Sequence, residues 1–256
     1  MKRASFIAGL ALLLSANSSY AQNTSTIAGG PHDLSTGSAV RNSDSTINGQ
    51  TCVFCHTPHG GSTNQPLWNR TNPGTAGYQV YTSSTSNTTA TATAVVSGVS
   101  GACLSCHDGT IAMDVVTNVN GTTFGTAPTG GSVGFTKQGT AKADYTNGSG
   151  GTGNVMLSGM PFIGTDLRND HPVAIQYKTA YDADTTHYRA ATLSGSKLFV
   201  SNAGVQLPLY GTTLADATVE CASCHDAHNN SLNGTNGGFL RVSNANSAMC
   251  STCHNK

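Results

Sequence analysis

The sequence predicts a mostly irregular chain with short helices and a few short strands, folded as a single domain whose core is not built chiefly from its own side chains. Three observations carry this. Charged residues make up 9% and apolar residues 37% of the 256 positions, against roughly 25% and, counting Gly, ~45–50% in ordinary soluble domains. Gly (30 residues), Ser, Thr and Asn fill the difference. No sustained apolar stripe of helical period runs through the chain, so long helices are not expected. All 8 Cys are gathered in short, regularly built clusters.

Along the chain, residues 1–21 read as a secretory leader. Lys2 and Arg3 form a positive start, Phe6 to Leu14 a short apolar run, and Ser19-Tyr20-Ala21 a small-residue cleavage site. The run is too short to span a bilayer, and no Cys follows the cleavage site to carry a lipid. Removing Lys2 and Arg3 from 12 Lys+Arg leaves 10 basic against 12 acidic side chains. With no basic run, a nucleic-acid partner is excluded. With no later apolar run of ~20 residues, so is a polytopic membrane protein.

Residues 22–256 carry no boundary signal and are expected to form one domain. Strands are predicted at Tyr78–Tyr81, Ala174–Tyr177, Lys197–Ser201 and Val205–Tyr210, the last two joined as a hairpin through Asn202-Ala203-Gly204. Stretches 82–93 and 119–153, rich in Thr, Gly and Asn, read as surface loops or weakly specified strands. Short helical turns are expected at each cysteine cluster and over Thr110–Val116.

The clusters are Cys52-Val53-Phe54-Cys55-His56, Cys103-Leu104-Ser105-Cys106-His107, Cys221-Ala222-Ser223-Cys224-His225 and Cys250-Ser251-Thr252-Cys253-His254. Each is a complete C-x-x-C-H pentapeptide, the attachment motif of c-type haem. Two thiols three positions apart line one edge of a helical turn and reach the two vinyl groups of one haem. The following His then falls under the iron. A disulfide framework, a redox pair or zinc sites would not require His at the fifth place each time. The expected cofactors are four covalently bound haem c groups, so the irregular fold is expected to wrap around four stacked haems and not to survive without them.

His56, His107, His225 and His254 are thereby proximal ligands. His32, His59, His171, His187 and His228 remain for four distal positions. His59 and His228 each lie three residues after a motif His, on the wrong face to close over their own haem. If they ligate, they serve a different haem, which requires close haem packing. His171 precedes Pro172, which biases it toward extended backbone. His32 lies near the mature N-terminus, and His187 has no helpful context. Met113, Met156, Met160 and Met249 are competing axial ligands, but the His supply favours bis-His irons, and Met249 is expected to pack on a haem edge.

The sequence resembles the paired-CxxCH multihaem cytochromes exported by metal-reducing bacteria. The matching stretches are Pro31–Ser35, Cys52–Gly60, Pro66–Arg70, Cys103–Gly109, Asn169–Val173, Leu207–Gly211, Cys221–His228 and Phe239–His254. Within that group it is most similar to the OmcE-like tetrahaem cytochromes that polymerise into extracellular filaments. The resemblance implies a continuous haem chain, bis-His irons and a distal His donated between subunits, with His59 or His32 as the donor. It further implies a homopolymer receiving electrons from outer-membrane cytochrome conduits and passing them to extracellular acceptors such as metal oxides. A monomeric periplasmic shuttle would share the same chemistry. A haem reductase would need an open iron, which the His supply argues against, so an electron carrier and not an enzyme is expected.

Overall fold

A computed structural model of the chain describes residues 27–28, 30–35, 41–43, 50–61, 65–70, 77–82, 96, 98–113, 115–118, 131–132, 135–137, 143–147, 154–159, 161–229 and 239–255. The leader at 1–21, Met160, and most of the stretches 82–93 and 119–153 lie outside the described residues.

Regular structure in these residues is short. In chain order it comprises β1 (Arg41–Ser43), α1 (Gly98–His107), β2 (Val115–Val116), β3 (Gly131–Ser132), β4 (Phe135–Lys137), β5 (Ala143–Asn147), β6 (Asn154–Gly159), β7 (Ile175–Gln176), α2 (Tyr177–Ala183), β8 (Ala191–Ser194), β9 (Lys197–Asn202), β10 (Val205–Leu209), β11 (Thr218–Val219), α3 (Cys221–Cys224), a 3-10 turn (Ala245–Ser247) and α4 (Ala248–Cys253). The longest helix, α1, has 10 residues. Among the described residues no helix is long and apolar enough to cross a membrane.

The strands form small antiparallel sheets: β10-β9-β8, and the pairs β1-β4, β2-β3, β5-β6 and β7-β11. The hairpin of β9 and β10 forms as expected, with Asn202 paired to Val205 across Ala203-Gly204. Both turn residues are left-handed, with φ 50° and 83°, the geometry that matches the twist of two flanking strands. Leu198, Val200, Leu207 and Leu209 alternate to the buried face, the period of two that made these strands legible. The third strand, β8, was not expected; three of its four residues are exposed, so it lacks that pattern.

Three expectations are corrected. Tyr78–Tyr81 is not a strand: only Gln79 forms a bridge, with Asp166, while Tyr78 turns inward and donates to Asp108 Oδ2 (2.6 Å). The strand at Ala174–Tyr177 shrinks to β7, because Tyr177 opens α2. Its buried ring donates its hydroxyl to the Arg189 carbonyl (2.8 Å), and Lys178 pairs with Asp182 one turn on. Among the described residues no helical turn covers Thr110–Val116. Asp108 instead accepts the Thr110 N–H and hydroxyl (2.8 and 2.7 Å), a local turn that competes with helix, and Val115–Val116 pairs as β2.

Among the described residues apolar burial is divided into clusters, each seated at a C-x-x-C-H motif. Val53, Phe54 and Val116 pack beside Cys55. Leu104, on α1, packs with Tyr78, Val96 and Leu167. Met113 and Met156 lie against Cys106. Tyr177, Leu198, Val200, Leu209 and Ala217 gather beside Cys253.

Candidate functional site

Each motif makes one turn. At Cys52–His56 the N–H groups of Cys55 and His56 both donate to the Cys52 carbonyl (3.1 and 2.8 Å). α3 and α4 close the same way, through His225 N–H to Cys221 (3.0 Å) and His254 N–H to Cys250 (2.9 Å). Cysteines three apart therefore share one edge of a turn. His225 and His254 then leave the helix in extended backbone.

That extended residue is gripped by a clasp which recurs at three motifs. His56 bridges to Trp68, His225 to Leu240 and His254 to Tyr188. The residue after each His donates to the residue before its partner: Thr57 to Leu67 (2.8 Å), Asp226 to Phe239 (2.7 Å) and Asn255 to His187 (2.8 Å). The residue after each partner donates its N–H to the second Cys: Asn69 to Cys55, Arg241 to Cys224 and Arg189 to Cys253, each at 2.9 Å. The same three residues then reach back with their side chains to the carbonyl following the first Cys. Asn69 Nδ2 donates to Val53 (2.6 Å), Arg241 Nε to Ala222 (2.6 Å) and Arg189 Nε to Ser251 (2.9 Å). Carbonyls of a one-turn helix have no intrahelical partner, and these donors satisfy them.

The second motif is built differently. α1 runs through His107, whose carbonyl accepts Ile163 and Gly164 N–H (2.9 and 3.1 Å). The buried Arg70 guanidinium donates to the Ser105 hydroxyl and carbonyl, Ala112 and Met113 (3.2, 2.9, 2.8 and 2.6 Å). Sequence reasoning missed these four clasping side chains. The partner segments precede or follow their motif at unequal distances and share only an apolar residue followed by a polar donor.

Two of the spare histidines are brought to motif histidines. His228 lies with its ring centre 6.1 Å from that of His56, the planes 13° apart. His32 lies 6.1 Å from His107, the planes 74° apart. Nδ1 of His56, His107 and His32 donates to the carbonyls of Pro66 (3.3 Å), Pro161 (2.7 Å) and Ala227 (3.4 Å) respectively. A carbonyl only accepts, so Nδ1 carries the proton and Nε2 keeps its lone pair, the second-shell arrangement that orients ligating imidazoles. Burial, reinforced by His107, lowers the pKa of His32 to about 4. Burial also lowers those of His56 and His107. All three are thereby kept in the neutral form that binds metal.

His59 and His171 are exposed and are not brought to a motif His within the chain; Nδ1 of His171 donates to Pro172 (3.0 Å). His187, which the sequence left without a role, occupies the clasp of the fourth motif, and its Nδ1 lies 2.7 Å from Asp184 Oδ2.

The eight thiols are free of disulfides. They neighbour one another in motif order. Burial, with Cys106 close by, pushes Cys55 up to about 12. Cys103 is hydrogen-bonded to Cys221, which raises its pKa and lowers that of its partner. Burial, with Cys250 nearby, raises Cys224. Burial, with Cys224 nearby, pushes Cys253 up to about 12. Such raised values oppose the thiolate that nucleophilic cysteine chemistry requires.

Among the described residues, Trp68 Nε1 is a buried side-chain donor without a hydrogen-bond partner. It belongs to the ring that stands edge-on to His56 at 5.9 Å. A buried orphan donor is costly, so the site fits a bound group that brings acceptor oxygens, as a haem propionate does. No protein-family model matches the chain, and the comparison with curated proteins returns no match.

Proposed function

We propose that the chain is an exported tetrahaem c-type cytochrome that carries electrons along a row of bis-His irons and polymerises outside the cell. The observation that carries this reading is the separation of the two histidine pairs. A metal held between two imidazole nitrogens at about 2 Å each, with about 1.1 Å from nitrogen to ring centre, would need ring centres about 6 Å apart. The pairs His56/His228 and His107/His32 stand at 6.1 Å.

Bound haem supplies a one-electron Fe(III)/Fe(II) couple. The chain's own part is attachment, ligation and spacing. Cys52, Cys55, Cys103, Cys106, Cys221, Cys224, Cys250 and Cys253 would hold the four haems as thioethers, each S–H adding across one vinyl C=C with no leaving group. His228 serves the first site and His32 the second, each from a segment other than the motif it closes. The thiol neighbours run first to second, second to third, third to fourth, which supports a row in chain order. His225 and His254 are the proximal ligands of the third and fourth sites.

His32 faces His107 within the chain, so the ligand donated to a neighbouring copy is assigned to His59. His171 supplies a further distal nitrogen. Outer-membrane conduits would feed the row, and extracellular metal oxides would drain it.

Mass spectrometry of the secreted protein tests attachment and is expected to find four haems per chain. A purely low-spin oxidised spectrum is expected; a high-spin band would reveal an open iron and favour a reductase. Electron microscopy of the secreted fraction is expected to show filaments, which His59→Met should shorten or abolish while four haems stay attached. Monomers alone in that fraction would favour the periplasmic shuttle.

A further inference from the structure

We propose that the first two sites hold their axial imidazoles at different angles, nearly parallel for His56/His228 and nearly perpendicular for His107/His32, making the second iron the stronger electron acceptor. Phe239 is the positioning residue that keeps the second pair crossed. This rests on the bis-His reading above.

The two pairs have equal separations, 6.1 Å, and differ in angle, 13° against 74°. Each plane has identifiable restraints. His56 is held by its bond to Pro66 and by the edge-on Trp68 ring, 83° from it. The backbone N–H of His228 donates to Asp226 Oδ1 (3.0 Å), and its ring Nδ1 lies 3.7 Å from the same oxygen. His107 is fixed by the 2.7 Å bond to Pro161. The bond from His32 to Ala227 is long at 3.4 Å. What sets the plane of His32 is the Phe239 ring, stacked at 4.2 Å and 14°.

Phe239 has φ 63°, a backbone region that bulky residues avoid and that persists only where the surroundings impose it. The clasp of the third motif imposes it here, since the Phe239 carbonyl accepts Asp226 N–H and Leu240 bridges His225. The third attachment site thus aims a ring at the distal ligand of the second.

The angle matters because imidazole donates π density into the iron d orbital that projects to either side of its own plane. Parallel rings raise the same orbital and split the degenerate pair. The ferric hole then resides in the raised orbital, which stabilises Fe(III) and lowers the potential. Crossed rings raise both orbitals alike, the pair stays nearly degenerate, and this stabilisation is lost. With haem bound, the first site would therefore be the donor and the second the acceptor of one electron. Near-degeneracy also leaves orbital angular momentum unquenched, so the two irons differ in electron paramagnetic resonance. Parallel pairs give a resolved rhombic spectrum, and crossed pairs a single strongly anisotropic low-field line.

The test is that spectrum of the fully oxidised holoprotein, in the parent and in variants. The parent is expected to show both kinds of signal. His32→Met should take one haem's share from the low-field intensity and leave the rhombic intensity, and His228→Met the reverse. Phe239→Leu should keep four haems but lose or shift the low-field line, and lower the potential of one haem in a redox titration. A parent spectrum lacking either kind, or loss of rhombic intensity on replacing His32, overturns the proposal. An unchanged low-field line in Phe239→Leu overturns the role of Phe239. Absence of low-spin signals from the parent would instead refute the bis-His reading itself.

Discussion

At Asn69 one side chain performs three tasks. Fully buried, it donates to the Val53 and Asn118 carbonyls (both 2.6 Å) and accepts the Asn118 N–H (2.7 Å). Asn69→Ala strands those partners and is expected to cost about 2–4 kcal/mol, read as a lower denaturation midpoint of the holoprotein at unchanged slope. Arg70 is a sharper case. Arg70→Lys retains the charge, but an ammonium cannot reproduce a planar fork bonded to Ser105, Ala112 and Met113. The expected loss is about 3 kcal/mol or more, with loosening at the second motif visible as faster amide exchange over α1. Neither residue announces itself in the sequence, because its acceptors are carbonyls brought close only by folding. The motif cysteines and histidines are legible for the opposite reason: their chemistry requires a fixed local spacing.

At the scale of elements, the turn between β9 and β10 and the brace between α1 and α3 behave differently. Ala203 sits at φ 50°, where an L-residue with a Cβ is disfavoured and Asn is tolerated. Ala203→Asn is expected to stabilise the hairpin by about 0.5–1 kcal/mol, measured as a raised melting temperature. The brace centres on Glu220, which is buried. It accepts the Ser100 hydroxyl from α1 and the Thr218 hydroxyl at 2.7 Å, and its N–H donates to Ser223. Ser100 Oγ in turn accepts the Cys221 N–H (3.0 Å), so the second and third C-x-x-C-H motifs are tied through one carboxylate. Burial raises the Glu220 pKa, with the two hydroxyls opposing it. The folded state thus binds this proton more tightly than the unfolded state does. Its contribution is complete below the ordinary Glu value of about 4.3 and is lost as pH rises through the folded value. Glu220→Gln is expected to flatten the stability profile, so that melting curves of parent and variant diverge as pH increases from about 4 upward. The hairpin could be read from alternation alone. The brace could not, since Ser100 and Glu220 are 120 residues apart.

Across the whole molecule, apolar burial among the described residues is divided among separate clusters, and on the proposed function bound haem would join them. The haem-free chain, made without attachment machinery, is expected to lose cooperative thermal unfolding and near-ultraviolet dichroism. A sharp melt of the haem-free chain would show that the clusters suffice by themselves. On the proposed function, two propionates on each haem would add to a chain whose 12 basic and 12 acidic side chains balance, so the haem-loaded protein is expected to migrate as an anion.

By itself the sequence determined the one-turn C-x-x-C-H motifs, the shortage of long helices and the β9–β10 hairpin, because each depends on neighbours within a few positions. The tertiary structure alone decided which histidines meet, at what angle, and which side chains clasp each turn. Those outcomes depend on segments as distant as His56 from His228 and His32 from Phe239, whose approach has no local signature. A ring plane held at 13° in one pair and 74° in the other is set by packing and hydrogen bonds across the fold.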